Sequence, residues 1–516
     1  MGALTASLLA LTVACGDDAT NSAATDEPSP RTTLSSGEVD IGAISPLITV
    51  YGPGRATFPS DQPGLAVADF NGDGLDDFAA GARSTGTAAG ENVGAVHIVF
   101  GSEDPTAAID LAEKAADVTI RGPGPSAGLG FSAAAGDLDG DGVADLVLGA
   151  PFTATGAGQV GTVHILFGPL EQGAIDLSTT TADVTLSGES VSGFFGDSLA
   201  TGDVNGDGIE DLVVGSTFAA ERSGQAGARA AGGAAFVFLG RLQWPLEAEA
   251  SDADVAFWGR DEFDELGDFV VTGDLNGDGR ADIIATAEAA DGPDDLRSTA
   301  AEVHILYGSD DLHGTYRVAD GDSSVVIYGA LENDTLGFSL AAGDLDGDGV
   351  DDLAMGARGA SAGGRTGAGL VYVLRGRGDL PAEIDLAKQP EGVSTIAGAS
   401  TADLLATSMV IADVSGGGQN SLVLGGSFVD TNDRLDAGTV YVIHATQAHA
   451  GGNVGEIASL ALYGSEQAER LGSNVAVGDV NGDGVPELVI IAETAAGPDE
   501  TRPEAGRIYV VTPTLE

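Results

Sequence analysis

The chain has 516 residues, 43% apolar and 5% aromatic, enough to fill a sizeable core. Its 79 acidic residues against 21 basic ones give a net charge of −58, which repels phosphate backbones and excludes nucleic acid as a partner. One cysteine permits no internal disulfide and no paired Cys or His spacing suits zinc, so any metal chemistry is expected to be carboxylate chemistry.

The first expected element is a signal peptide over residues 1–14. Its apolar run, Ala3 to Ala14, falls well short of the roughly 20 residues a membrane-spanning helix needs. The run closes on Thr12-Val13-Ala14-Cys15, similar to a bacterial lipobox, which makes Cys15 the expected lipid anchor. Thr12 departs from the usual Leu, and no Lys or Arg precedes the core. Residues 15–40 then read as the lipidated cysteine and a disordered tether: small, polar, acidic and without periodicity. Any membrane contact is expected only through that anchor, on a secreted protein held at the cell envelope or surface.

From residue 41 to 516 the chain repeats itself. A nine-residue acidic loop begins at Asp69, Asp137, Asp203, Asp274, Asp344, Asp413 and Asp479, at intervals of 66 to 71 residues. A strand-like run ends in glycine 15 residues before six of these loops, and 17 before the first. Each unit holds four strand-like segments, a to d, with the acidic loop between a and b. In the second unit they are residues 131–136, 145–150, 161–168 and 184–188, and strand c alternates Val163, Ile165 and Phe167 against His164 and Leu166. Seven four-stranded units predict an all-β, seven-bladed β-propeller of antiparallel blades. The repeats begin with a d-type strand at Ile48 and end on a c-type strand at Val511, so the N-terminal strand is expected to complete the last blade and close the circle.

Six loops fit D-x-[DN]-G-D-G-x-x-[DE]. Calcium takes six to eight oxygens, which side chains at positions 1, 3, 5 and 9 and a carbonyl at position 7 supply. The expected side-chain ligands are Asp69, Asn71, Asp73 and Asp77 in loop 1 and Asp137, Asp139, Asp141 and Asp145 in loop 2. Loops 3 and 4 offer Asp203, Asn205, Asp207 and Asp211, then Asp274, Asn276, Asp278 and Asp282. Loops 5 and 7 offer Asp344, Asp346, Asp348 and Asp352, then Asp479, Asn481, Asp483 and Glu487. The carbonyls belong to Leu75, Val143, Ile209, Arg280, Val350 and Val485. A hairpin turn needs only two or three such residues, so six copies in register point to about six structural calcium ions. Loop 6, DVSGGGQNS, keeps one carboxylate and is expected to be metal-free.

The pattern resembles the FG-GAP repeat of the integrin alpha-chain propeller. The FG element stands at Leu129-Gly130-Phe131, Phe195-Gly196, Leu266-Gly267, Leu336-Gly337-Phe338 and Leu471-Gly472, and the GAP element at Gly149-Ala150-Pro151. The resemblance implies calcium loops on one face and partner-binding loops on the other. Loops joining b to c carry Arg83, Arg222, Arg229, Arg297, Arg358, Arg365, Arg434 and Arg502, which either receive carboxylates or sulfated glycans or neutralise nearby acids.

Gly359-Ala360-Ser361-Ala362-Gly363 fits a nucleophile-elbow pattern, but with 79 glycines such matches arise by chance and no catalytic residue is expected. His97, His164 and His304 share one strand-c position that other units fill with Phe or Tyr, which is packing. The expected function is a monomeric, non-catalytic surface module that binds an extracellular protein or glycan. The alternatives are a propeller-scaffold enzyme, with ionisable residues at the axial mouth, and a structural subunit of an envelope complex.

Overall fold

The computed structural model describes residues 37–513 except 55–56, 59–63, 87–91, 157, 222–230, 294–295, 432–433 and 499–501. The expected signal peptide, Cys15 and most of the tether lie outside the described residues. Seven five-stranded sheets form the seven blades, numbered here by their acidic loops. In blade 2, strands a to d are Ala133–Gly136, Asp145–Ala150, Thr162–Leu166 and Val184–Ser187, each antiparallel to its neighbour. Strand c is buried along its whole length, because each blade is covered on both faces by its neighbours.

The expectation of four-stranded blades is corrected by a fifth strand, e, which runs parallel to d on its outer edge. Gly173–Asp176 caps blade 1, Glu247–Glu249 blade 2, Gly314–Arg317 blade 3, Glu383–Asp385 blade 4 and Gly452–Asn453 blade 5. Each comes from the c-to-d connection of the following repeat, which reaches back to pair the open edge that d would otherwise expose. Blade 7 takes Ala108–Asp110 in the same way, and blade 6 takes Gly37–Asp40. The boundary expected at residue 41 therefore moves: Gly37–Asp40 is propeller, not tether. Ile48–Tyr51 lies antiparallel beside Arg507–Val511, so the first d strand shares a sheet with the last three strands of the chain.

The core is divided among the blade interfaces. One apolar cluster joins blades 2 and 3 through Val147, Val163, Leu212 and Phe236, and another joins blades 7 and 1 through Ile508, Val510, Leu65 and Phe78. The repeat motif has a physical cause here. The FG glycines turn at φ of 80 to 88°, a region that penalises any Cβ. A Cβ on Gly81, Gly149, Gly215 or Gly425 of strand b would come within 2.1 Å of the next blade's FG carbonyl. Serine hydroxyls tie the same carbonyls across blades, Ser132 to Gly196 at 2.8 Å and Ser198 to Gly267 at 2.7 Å.

Candidate metal-binding loops

The acidic loops are the hairpins joining strands a and b, all on one face. Their shape follows from position 1. Its Oδ1 accepts the position-4 N–H at 2.7 to 2.8 Å, and its Oδ2 accepts the position-6 N–H at 2.7 to 2.9 Å, in all six consensus loops. Position 5 accepts the N–H of position 7 at 2.9 to 3.1 Å, holding Leu75, Val143, Ile209, Arg280, Val350 and Val485 in the turn. Position 9 opens strand b and is buried. Asp77 accepts from Phe70 N at 3.0 Å and from Gly101 N at 2.8 Å, binding the loop to the end of strand c. Asp145, Asp211 and Asp282 repeat both bonds.

These bonds leave carboxylate oxygens converging. One oxygen each from Asp137, Asp139 and Asp145 lie within 4.8 Å of one another, as do those of Asp344, Asp346 and Asp348. Burial, with the charges of positions 1, 3 or 5 adding to it, pushes Asp77, Asp145, Asp282 and Glu487 up to about 7 and Asp211 to about 6. The loops also link round the ring: the N–H of Asp76, Glu210, Ala281 and Asp351 donates to the position-1 carbonyl of the preceding blade.

Loop 6 takes the same path with different chemistry. Asp413 accepts from Ser415 N and its hydroxyl, both at 2.8 Å, and from Gly418 N at 2.5 Å. Position 9 is Ser421, whose hydroxyl meets His444 Nδ1 at 3.3 Å.

On the opposite face the expected arginine ring is not a free receptor. Arg297 reaches Asp385 at 2.8 Å, Arg434 reaches Asp40 at 2.7 Å and Arg502 reaches Asp110 at 2.6 Å. Each joins a b–c loop to strand e of its own blade; blade 3 reverses the charges with Glu221 and Arg317. Arg83 lies over Phe131, Arg358 lies over Phe338, and Arg365 lies against Gly363 of its own turn. Arg222 and Arg229 lie outside the described residues.

Aromatic side chains occupy that face instead. Phe131, Phe152, Phe194 and Phe218 form an edge-to-face ladder with centroids 5.3 to 5.5 Å apart across blades 2 and 3. Val191, Phe263, Leu296, Leu331 and Leu435 are exposed on loops of the same face. A cavity of about 960 Å³ between blades 2 and 3 is lined by Phe236, Trp258, Glu189, Glu262 and the Glu221 and Arg317 pair.

The axial channel, about 390 Å³, is lined by strand a side chains such as Leu65, Leu199, Phe269 and Leu340, and no ionisable side chain lines it among the described residues. Next to the strand a residues that line it are two acids that sequence reasoning missed. Asp197 is buried and accepts from Thr217 N at 3.2 Å, and burial pushes it up to about 8; Asp268 is pushed up by burial, Glu288 and Asp197. Ser361 sits in a b–c turn closed by the Ala362 and Arg365 bridge, not in a strand-to-helix elbow. His97 and His164 are buried and pushed down to about 4, as packing residues.

Seven radial blades with inter-blade glycine contacts and acidic hairpins define a β-propeller of the kind found at the N-terminus of integrin alpha chains. The FG-GAP repeat pattern matches residues 63–99, 129–166, 195–237, 266–302, 336–374 and 471–511, skipping blade 6. The chain carries six FG-GAP repeats. Phosphatidylinositol-glycan-specific phospholipase D of Bos taurus is 27% identical over 85% of the chain and 54% of its own length. Integrin alpha-8 of Mus musculus is 30% identical over 51% of the chain and 22% of its own length. Integrin alpha-PS2 of Drosophila melanogaster is 29% identical over 44% and 15%. The chain thus spans about half the length of the bovine relative and less of the others.

Proposed function

We propose that the protein is a calcium-stabilised, non-catalytic binding module that recognises an extracellular protein or glycan, held at the bacterial envelope through Cys15. The comparison of loop 6 with its counterparts carries the calcium assignment. Gly416 and Gly418 in loop 6 turn at φ of 67 and 77°, beside 72 and 84° for Gly482 and Gly484 in loop 7. One aspartate and two glycines therefore suffice for the hairpin. The acids at positions 5 and 9, and the Asp or Asn at position 3, make further bonds in the loop but exceed what the turn needs. An all-oxygen donor set fits calcium. Calorimetric titration of chelated protein with calcium is expected to give five or six ions and a large rise in melting temperature. No binding, or binding without stabilisation, overturns the assignment.

The phenylalanine ladder and the exposed Val191, Phe263 and Leu331 support recognition on the opposite face. Arrays of glycans and surface proteins probed with calcium-loaded protein test it; Phe194→Ser is expected to abolish the specific signal while keeping the calcium count. A second reading, an enzyme on a propeller scaffold, is favoured by the phospholipase relative and by the buried acids Asp197 and Asp268. It predicts hydrolysis of a phosphatidylinositol-glycan substrate that falls in Asp268→Asn. The binding reading predicts none.

A further inference from the structure

Loop 5 departs from the other five consensus loops in a way its sequence conceals. In loops 1, 2, 3, 4 and 7 the second oxygen of position 9 accepts the N–H of position 2 at 2.8 to 3.1 Å. In loop 5, Asp352 Oδ1 accepts from Gly376 N at 2.9 Å, but Oδ2 is buried and makes no hydrogen bond. It faces His449 Nε2 at 3.2 Å, itself buried and without a hydrogen bond, and Asp346 Oδ2 lies 3.9 Å from the same nitrogen. Asp346 Oδ1 is likewise buried without a hydrogen bond, while its Oδ2 meets Arg375 at 2.7 Å.

His449 comes from repeat 6. It sits in the last turn of α1, Ala445–Ala450, within the connection that supplies strand e to blade 5. Ser394 Oγ of blade 5 donates to Ala448 O at 2.6 Å and fixes that turn over the loop. The imidazole is therefore held in place by backbone docking.

We propose that Asp346, Asp352 and His449 form a mixed nitrogen and oxygen site for a borderline divalent metal of the zinc class, distinct from the all-oxygen loops. The inference rests on reading the loops as metal sites and changes the metal at one of them. The three ligand atoms lie within 4.8 Å of one another. Ligands of tetrahedral zinc, at roughly 2.0 to 2.1 Å from the metal, stand about 3.3 Å apart, close to the 3.2 and 3.9 Å found at His449. Imidazole is a favourable ligand for zinc, cobalt or nickel, whereas calcium prefers oxygen.

The test uses the whole chain saturated with calcium and titrated with cobalt(II), followed by visible absorption, then with zinc. One cobalt with visible bands, displaced by one zinc under millimolar calcium, is expected. His449→Gln is expected to weaken that site at least about tenfold, and Asp346→Asn to weaken it while leaving the five other calcium ions. Asp483→Ala in loop 7 should lose one calcium and keep the cobalt band. No cobalt band under excess calcium, or equal affinity in His449→Gln, overturns the proposal. Cobalt binding by a protein that takes up no calcium would instead leave this site standing and defeat the calcium assignment.

Discussion

Loops 6 and 7 leave adjacent blades along the same backbone path, yet they share few oxygen ligands. Both wrap a position-1 aspartate around the N–H of position 6, at 2.5 Å for Asp413 and 2.9 Å for Asp479. Loop 7 then adds Asn481, Asp483 and Glu487, where loop 6 has Ser415, Gly417 and Ser421. Folding the hairpin thus needs fewer oxygen-bearing positions than loop 7 supplies. Burial pushes Glu487 up to about 7, whereas hydrogen bonds from Ser415, Gly417 and Gly418 hold Asp413 below the usual range. One loop is complete as it stands, and the other carries buried charge that a proton or a cation would relieve.

The largest effect that would break this comparison is metal removal. A site held at about 100 times its dissociation constant adds about 2.7 kcal/mol, and five or six act on one interlocked ring. Chelation is expected to lower the melting temperature by more than about 10 °C. An unchanged melting curve would make all seven loops equivalent turns.

Substitutions within the loops come next. Asp73→Ala removes a side chain whose single hydrogen bond among the described residues is accepted from Leu75 N, so it should barely change the chelated protein but lose one calcium and about 1–3 kcal/mol when calcium is present. Asp413→Ala removes the acceptor for three donors and should cost about 1–3 kcal/mol with or without calcium. Denaturant melts in both conditions separate the two; equal calcium dependence would erase the distinction.

The loops and the blade count were legible because glycine and aspartate act locally: positive φ and short Asx bonds fall within nine residues. The outer strands were not. Ala108–Asp110 and Glu247–Glu249 are only three residues long, too short for alternation to mark them in sequence, and their role depends on a strand in another repeat. The arginines of the b–c loops read as free or locally paired for the same reason. Arg434 and Asp40 are 394 residues apart, and Arg502 and Asp110 are 392 apart. His449 gave no metal signal because its partners, Asp346 and Asp352, belong to the preceding blade; no spacing rule reaches that far.

Proton linkage sharpens the comparison further. Asp77, Asp145, Asp282 and Glu487 rise to about 7 in the metal-free fold, above their unfolded values near 4. The native state then binds extra protons between pH 4 and 7. The stability these groups contribute is full below about pH 4 and is lost as pH rises through about 7. Chelated protein is expected to melt several degrees higher at pH 5 than at pH 8. Calcium binds the ionised form, so the stabilisation by calcium grows from pH 5 to pH 8. Scanning calorimetry at both values, with and without calcium, checks the difference; a calcium increment independent of pH would remove these carboxylates from the site.

The smallest effect lies across the propeller, where Asp197 is buried with no metal to explain it. Burial raises it to about 8, so its protonated form is native at pH 6 and its ionised form is strained at pH 9. Its Oδ2 accepts from Thr217 N at 3.2 Å and from the Thr217 hydroxyl, and an asparagine oxygen can accept both. Asp197→Asn should match the parent at pH 6 and melt about a degree higher at pH 9, equally with calcium and with chelator. That calcium independence is the contrast with Glu487: both carboxyls are raised by burial, but Glu487 also stands beside Asp483 and Asp479 of its own loop. If calcium changed the Asp197→Asn difference, the two faces would be coupled through the blades, and the loops would then act on the opposite face as well as on the ring.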